Sequence, residues 1–299
     1  MKSNIQDIIT KKINRNLILK KYNITQKQFY NIKEILSSDV ILIKYCENLN
    51  EFLYKKEKTI FELIKYAKLI CYYLPSFNNL KIFLNKNNKK NKGKIGTFLE
   101  YALFGRKPNG DSNCDFSERD LKCIHFKSVW GDYFNAKERL TITNIGNPDN
   151  ENFGKDIKQS KLNTLKYYKK IRKGLLICLL HDENVKQIID KKILIILDYD
   201  IEKISKNQTR QNNISKQIIE DYNNIQNKII NNNLSQVGQK YLHMCKHGTR
   251  NSKNRAFAFN PKFVTQIISE WINNKNNCYY SNIIYKKANS FSIHKRYLL

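Results

Sequence analysis

Three acidic residues and one lysine form the pattern in this sequence that best suits chemistry. Asp115 stands at a turn, and Asp120 and Lys122 lie at the start of an apolar stretch, 121–126, that is typical of a strand. Alternate side chains of a strand share a face, so Asp120 and Lys122 project together. Mg²⁺ takes oxygen ligands from one or two carboxylates and a substrate phosphate. The pattern therefore predicts a metal-dependent phosphodiesterase in which Lys122 holds or deprotonates the attacking water.

A short helix is needed to bring the third acid, Glu100, to the same cleft. From Ile95 onwards, apolar residues recur at i, i+3, i+4 and i+7, which predicts an amphipathic helix that ends at Gly105. Glu100 lies about 140° around that helix from Ile95, at the rim of the apolar face. From there its carboxylate can reach Asp115 and Asp120.

The remaining apolar segments predict an α/β fold. Strands are expected at 139–145, 174–180, 193–199 and 255–259, and helices over 214–229 and from Pro261 towards Trp271. Their sum is a mixed central sheet flanked by helices. Helical periodicity makes 1–84 an N-terminal extension, the absence of apolar residues makes 85–94 an exposed basic connector, and 95–299 is the expected catalytic domain.

The composition indicates a nucleic acid as the partner. Lysine and arginine number 54 against 26 acids, a formal net charge of +28, while a hydrophobic content of 41% suffices for a folded core. Such a charge attracts phosphate backbones without sequence selectivity. Seven scattered cysteines without a C-x-x-C pair indicate reduced thiols in a cytoplasmic protein. No stretch approaches the roughly 18 apolar residues of a membrane span, so no membrane partner is expected.

The catalytic motifs, with their neighbours, resemble a known family. Gly93-Lys-Ile-Gly-Thr-Phe-Leu-Glu100, Asp115-Phe, Asp120-Leu-Lys122 and Lys137-Glu-Arg-Leu follow one another in this order. They resemble the mismatch-repair endonuclease MutH and its type II restriction relatives that cut at GATC. These proteins have a Gly-x-x-Leu-Glu helix, an Asp followed by a Glu-x-Lys strand and, in the restriction branch, a Lys-Glu-Arg-Leu strand. The likeness covers roughly residues 93–270.

Later blocks extend the resemblance and imply further site residues. The segment from Phe153 to Lys161 is similar to one that carries an additional active-site lysine, and Tyr241-Leu with Asn254-Arg-Ala-Phe is similar to the closing blocks of the restriction branch. The resemblance implies a restriction-endonuclease-like fold, Mg²⁺ as cofactor and double-stranded DNA as substrate. It implies a metal set of Asp115, Asp120 and Glu100, a catalytic set that adds Lys122 and Lys161, and DNA contacts by Lys246, His247 and Arg255. By this resemblance a loop from Lys246 to Gly248 approaches base edges in the major groove, where lysine can donate to guanine. Lys137 and Arg139 stand two residues apart, so they are expected to share a strand face that points towards the DNA.

Three departures from the family pattern leave alternatives open. Four residues separate Asp115 from Asp120, fewer than the family usually has, and Asp120 replaces the usual Glu. Cys114 stands where a Pro is common, and His247 occupies the family's base-reading lysine position. Glu118 is the alternative second metal ligand.

The restriction branch is the favoured interpretation, and three alternatives accompany it. One is a mismatch-repair nickase, another is a sequence-specific DNA-binding protein whose nuclease centre has decayed, and the third is a nonspecific basic binder. A single catalytic set cuts one strand, so a double-strand break would need two protomers. A cognate adenine methyltransferase acting on the same site is the expected partner of a restriction enzyme.

Overall fold

The computed structural model describes residues 30–54, 58–86, 93–106, 114–130, 133–206, 213–248, 251–274, 284–287 and 290–294. Within these ranges the protein is mixed α/β, with sheets flanked by helices, as the sequence predicts. A bilayer-spanning helix, which needs both length and apolar character, does not occur among these residues.

Among the described residues, twelve strands form three sheets. They are β1 (Tyr30–Asn31), β2 (Lys58–Thr59), β3 (Cys71–Tyr72), β4 (Asp120–Trp130), β5 (Tyr133–Ala136), β6 (Leu140–Gly146), β7 (Lys173–Leu180), β8 (Lys192–Asp200), β9 (Leu242–Lys246), β10 (Arg255–Phe259), β11 (Ile284–Lys287) and β12 (Ser290–His294). The central sheet has the order β11-β12-β5-β4-β7-β8-β2, a second sheet the order β6-β10-β9, and β1 pairs with β3. In the central sheet β4 and β7 are parallel and the other pairs antiparallel, so the sheet is mixed.

Helices cover both faces of the central sheet. They are α1 (Ile32–Ser37), α2 (Asp39–Tyr54), α3 (Ile60–Ile70), α4 (Phe77–Lys86), α5 (Lys94–Phe104), α6 (Lys155–Gln159), α7 (Tyr168–Arg172), α8 (Ile201–Lys206), α9 (Ile214–Ile230) and α10 (Pro261–Asn274). Strand β7 shows how the two faces are used: Leu175, Ile177 and Leu179 pack in one core with α1 to α5, whereas Leu176 and Cys178 pack in another with α9 and α10. A strand buried on both faces is a continuous apolar run, as this one is.

The N-terminal helices share a core with the sheet. Leu42 and Leu63 belong to the same buried cluster as Leu99 of α5 and Ile196 of β8. Strand β2 also pairs with β8 at the edge of the central sheet. The segment is helical, as its periodicity predicts, and α3 begins with a capping box between Thr59 and Glu62. Residues 1–29, and most of the predicted connector (87–92), lie outside the described residues.

The sequence located most of these elements and missed others. Strand β10 has the predicted bounds, while β6 begins at Leu140, one residue after the predicted start. Strands β5 and β9 were not predicted, because short polar-rich strands give little alternation. Strand β9 ends with Lys246, which was expected in a loop that approaches DNA.

Close packing at Gly174, the partner of Asp120 in the β4–β7 register, generates a testable expectation. A β-carbon at Gly174 would lie 2.5 Å from the ring of Tyr199, which is fully buried. We expect Gly174→Ala to lower the free energy of unfolding by about 2 kcal/mol through overpacking. Chemical denaturation measures this. Gly96→Ala is the matched control, because its β-carbon would meet only ordinary contacts at 3.8 Å and alanine favours helix by about 0.5–1 kcal/mol. Equal stability of both variants and wild type would contradict the expectation.

Candidate active site

Strand β4 presents Asp120 and Lys122 together at the N-terminal end of the sheet's central strand. Asp120 is 3% exposed, and the Nζ atom of Lys122 lies 2.5 Å from its Oδ2 atom. Ile124, next on the same face, is buried in the core with α9 and α10. The alternation expected from the sequence thus produces an ion pair at the point where the apolar part of the strand begins.

The short turn before β4 folds Asp115 back onto the start of the strand. The Oδ2 atom of Asp115 accepts a hydrogen bond of 2.8 Å from the backbone N–H of Leu121. The backbone N–H of Phe116 donates to the carbonyl of Arg119 at 2.8 Å, and the Phe116 ring is buried against Phe104 of α5. The reduced spacing therefore does not separate the two acids, since each carboxyl group is close enough to the other to shift its pKa.

Helix α5 brings Glu100 to the same cluster. Gly105 ends this helix in the left-handed conformation, with φ of 65°, as the sequence predicts. Arg106 follows directly, and its Nε atom lies 3.3 Å from the Oε1 atom of Glu100. Glu100 is 7% exposed, so its carboxylate is largely withdrawn from water.

Burial and mutual repulsion shift the pKa values of the three acids. Burial, then the negative charges of Asp115 and Asp120, raise the pKa of Glu100 to about 7, against the opposing effect of Arg106. Burial, the charge of Asp120 and a side-chain hydrogen bond with it raise the pKa of Asp115. Burial alone would also raise the pKa of Asp120, but Lys122, the hydrogen bond from Asp115 and Lys170 lower it. The cluster therefore holds Asp120 ionised and binds protons at its other members.

A second lysine, Lys170, contacts Asp120. Its Nζ atom lies 3.3 Å from the Oδ1 atom, and the residue is 8% exposed. It comes from α7, directly before β7, the parallel neighbour of β4. The resemblance implied that Lys161 is the further active-site lysine. In the structure Lys161 is exposed, directly before the 3-10 turn Leu162–Thr164. The signal in the sequence that could have indicated Lys170 was its position shortly before the apolar run that forms β7.

The alternative ligand, Glu118, lies away from the other acids. It forms an ion pair with Lys173, and 41% of its side chain is exposed. This pairing lowers the pKa of Glu118, the opposite of the shift at Glu100. Of these two acids, Asp120 and not Glu118 is close enough to Asp115 to raise its pKa.

The donor chemistry of the cluster fits a small, hard divalent cation. Glu100 Oε1 and Asp120 Oδ2 are buried and accept no hydrogen bond, although each has a cation nearby. Among the described residues, no group of three or more His, Cys, Asp or Glu side chains is placed so that it could hold a metal ion. Mg²⁺ is held by one or two carboxylates together with water and substrate phosphate, which is the number that Asp115 and Asp120 supply.

The residues expected to contact DNA fall into two groups. Lys137 lies in the connection between β5 and β6, not in a strand, and its Nζ atom is 2.8 Å from Nε2 of His181. Arg139, from the same connection, is directed elsewhere and donates to Gln236 at 3.4 Å. The two side chains therefore do not form the single strand face that the sequence analysis expected.

The second group lies on the β9–β10 hairpin. Lys246 and Arg255 are opposite each other in register, and the backbone N–H of His247 donates to the carbonyl of Asn254 at 2.8 Å. Burial raises the pKa of the Cys245 thiol beside them, and the nearby charges of Arg139 and Arg255 oppose that rise. Lys246, His247 and Arg255 thus form a basic end of the second sheet, whereas Arg139 precedes the opposite end of β6, where Leu140 pairs with Phe259.

Comparisons with known proteins supply no family assignment: neither the protein-family models nor the curated proteins contain a match for this chain.

The raised pKa of Glu100 predicts a gain in stability when its charge is removed. A carboxyl group whose pKa is raised from 4.5 to about 7 on folding costs stability as the pH rises through that window. At about pH 8 the free energy of unfolding of Glu100→Gln is expected to exceed that of wild type by about 1 kcal/mol, after allowance for screening, so the variant should unfold at a higher temperature. Near pH 4 the two proteins should be equally stable. Thermal unfolding at both pH values measures the difference.

Glu118→Gln provides a control of opposite sign for this measurement. The pKa of Glu118 is lowered by Lys173, so neutralising it removes a favourable interaction at neutral pH. A Glu100→Gln protein that is less stable than wild type at every pH would show that the carboxylate is not electrostatically strained.

Proposed function

We propose that this protein is a Mg²⁺-dependent endonuclease of the restriction type that hydrolyses phosphodiester bonds of double-stranded DNA. The observation that carries the proposal is the convergence of Asp115, Asp120 and Glu100 with two lysines at the start of β4. A restriction-endonuclease-like fold is part of the proposal. It is supported by the mixed sheet flanked by helices and by the likeness of the catalytic motifs to MutH and its restriction relatives.

The residues divide the work according to their environments. Asp120 stays ionised between Lys122 and Lys170, and with Asp115 it would hold the metal, assisted by Glu100. Bound Mg²⁺ would neutralise the charge that builds up on the scissile phosphate. Lys122, which is a quarter exposed, is available to orient the attacking water, while the buried Lys170 fixes the carboxylate of Asp120.

The proposed substrate follows from charge and resemblance. A net charge of +28 favours a polyanion, and the basic end of the second sheet offers Lys246, His247 and Arg255 to it. The resemblance favours GATC as the site. A double-strand break would be made by two protomers, and an adenine methyltransferase with the same specificity would protect host DNA.

A DNA-binding protein with a decayed nuclease centre is the second candidate. It is favoured by the lack, among the described residues, of a group of three or more ligating side chains placed to hold a metal ion, and by the occupation of Asp120 by two lysines. A mismatch-repair nickase would use the same acids, and would differ in cutting one strand with a partner's help. Cleavage assays separate the three.

Incubation of purified protein with unmethylated and adenine-methylated plasmid in Mg²⁺ tests the proposal. We expect discrete double-strand cuts at one short sequence, and chelation of the metal should abolish them. Adenine methylation of that sequence should change cutting at all of the sites together, and the comparison of the two plasmids shows in which direction. Lys122→Ala is expected to reduce the rate by at least about 10²-fold, the usual cost of losing one electrostatic group at a reacting centre. Intact plasmid despite tight, site-specific binding would establish the decayed centre, and single-strand nicks would establish the nickase.

Two further lysine variants in the same assay identify the auxiliary lysine. Because Lys170 contacts Asp120 and Lys161 is exposed, Lys170→Ala is expected to lose much more activity than Lys161→Ala. A larger loss for Lys161→Ala would assign the auxiliary role to Lys161, as the sequence analysis expected.

A further inference from the structure

Tyr73 combines exposure with backbone strain. It follows β3 with φ of 67° and is 78% exposed. The left-handed region is unfavourable for a bulky side chain and is usually occupied by glycine or asparagine. An exposed ring gains little from burial, so folding alone does not account for a tyrosine in this conformation.

The structure fixes the backbone on both sides of Tyr73. Before it, β3 pairs in parallel with β1, with Cys71 opposite Tyr30. After it, the Nζ atom of Lys68 donates to the carbonyls of Leu74 and Pro75, at 3.3 and 2.5 Å. The ring of Tyr73 is therefore presented on a rigid turn, which lowers the entropic cost of using it in binding.

This turn lies beside the helix end that carries the candidate active site. Leu74 and Ile32 both approach Gly105, within 4.0 and 3.0 Å of the place where a β-carbon would stand. The residue after Gly105 is Arg106, the ion-pair partner of Glu100. The neighbour of Tyr73, Leu74, therefore packs at the end of the helix that carries Glu100.

The charge of the surrounding segment favours a polyanion as the occupant of this surface. Between residues 58 and 86 the chain has five lysines and one acid, Glu62. Lys65 lies on α3, before the turn, and Lys68 of the same helix adds its charge where it holds the turn. A polyanion would be attracted to this segment whatever its sequence.

We propose that Tyr73 packs against duplex DNA bound at the candidate active site, so that the N-terminal helices form part of the DNA interface. The inference rests on the proposed DNA substrate and adds to it a contact outside the catalytic set. The ring contacts sugar and base edges, while neighbouring lysines neutralise phosphates.

Tyr73→Gly tests the inference because strain and binding respond in opposite directions. Glycine relieves the left-handed strain, so the variant is expected to unfold at a higher temperature than wild type. Its affinity for a short fluorescent GATC duplex, measured by anisotropy in Ca²⁺, is expected to fall about five- to tenfold, as for the loss of one aromatic contact with nucleic acid. Tyr73→Phe keeps the ring and is expected to bind as wild type does.

Asn232→Gly is the matched control for the relief of strain. Asn232 follows α9 with φ of 52°, so glycine there removes a similar strain, and DNA affinity is expected to stay the same. Wild-type affinity of Tyr73→Gly would overturn the inference and leave the proposed function standing. The same result with reduced self-association in sedimentation would assign the ring to a protein contact instead. Absence of DNA binding by the wild type would overturn both proposals.

Discussion

The candidate site depends on keeping the carboxylate of Asp120 ionised inside the protein. A charge that is 3% exposed is costly unless it is paired, and Lys122 and Lys170 supply the pairing from two sides. This requirement explains the local architecture. Strand β4 provides Asp120 and Lys122, and the parallel alignment of β7 brings Lys170 of α7 to the same end of the sheet. Two lysines then permit a further two acids to lie near Asp120.

The balance of charges leaves the cluster prepared for a divalent cation. Asp115 and Glu100 both have raised pKa values, because burial and the neighbouring acids disfavour their charged forms. Arg106 offsets only part of this at Glu100. Without a metal, protonation of Asp115 or Glu100 reduces the repulsion between the carboxylates. A bound divalent cation would reduce the same repulsion. Stability is thus given up at the site that performs the proposed chemistry, a trade that functional sites often make.

Local periodicity was sufficient to predict the elements that carry the acids. The helix that ends at Gly105, the strand that begins near Leu121 and the strand 255–259 all follow from the spacing of apolar residues. Lys170 was missed because its role comes from the pairing of β7 with β4, a contact between segments far apart in sequence. For the same reason, the separate directions of Lys137 and Arg139 could not be inferred from strand alternation, since a turn precedes β6.

The proton-linked binding of Mg²⁺ is the measurement that distinguishes a metal centre at the start of β4 from a purely structural ion cluster. Isothermal titration of the DNA-free protein at slightly acid pH, in two buffers of different ionisation enthalpy, measures metal affinity and proton release together. We expect saturable binding of Mg²⁺ that releases protons. The affinity should be lost in Asp115→Asn and retained in Glu118→Gln. Binding without proton release, or binding unaffected by Asp115→Asn, would show that the cluster at the start of β4 is not the metal centre.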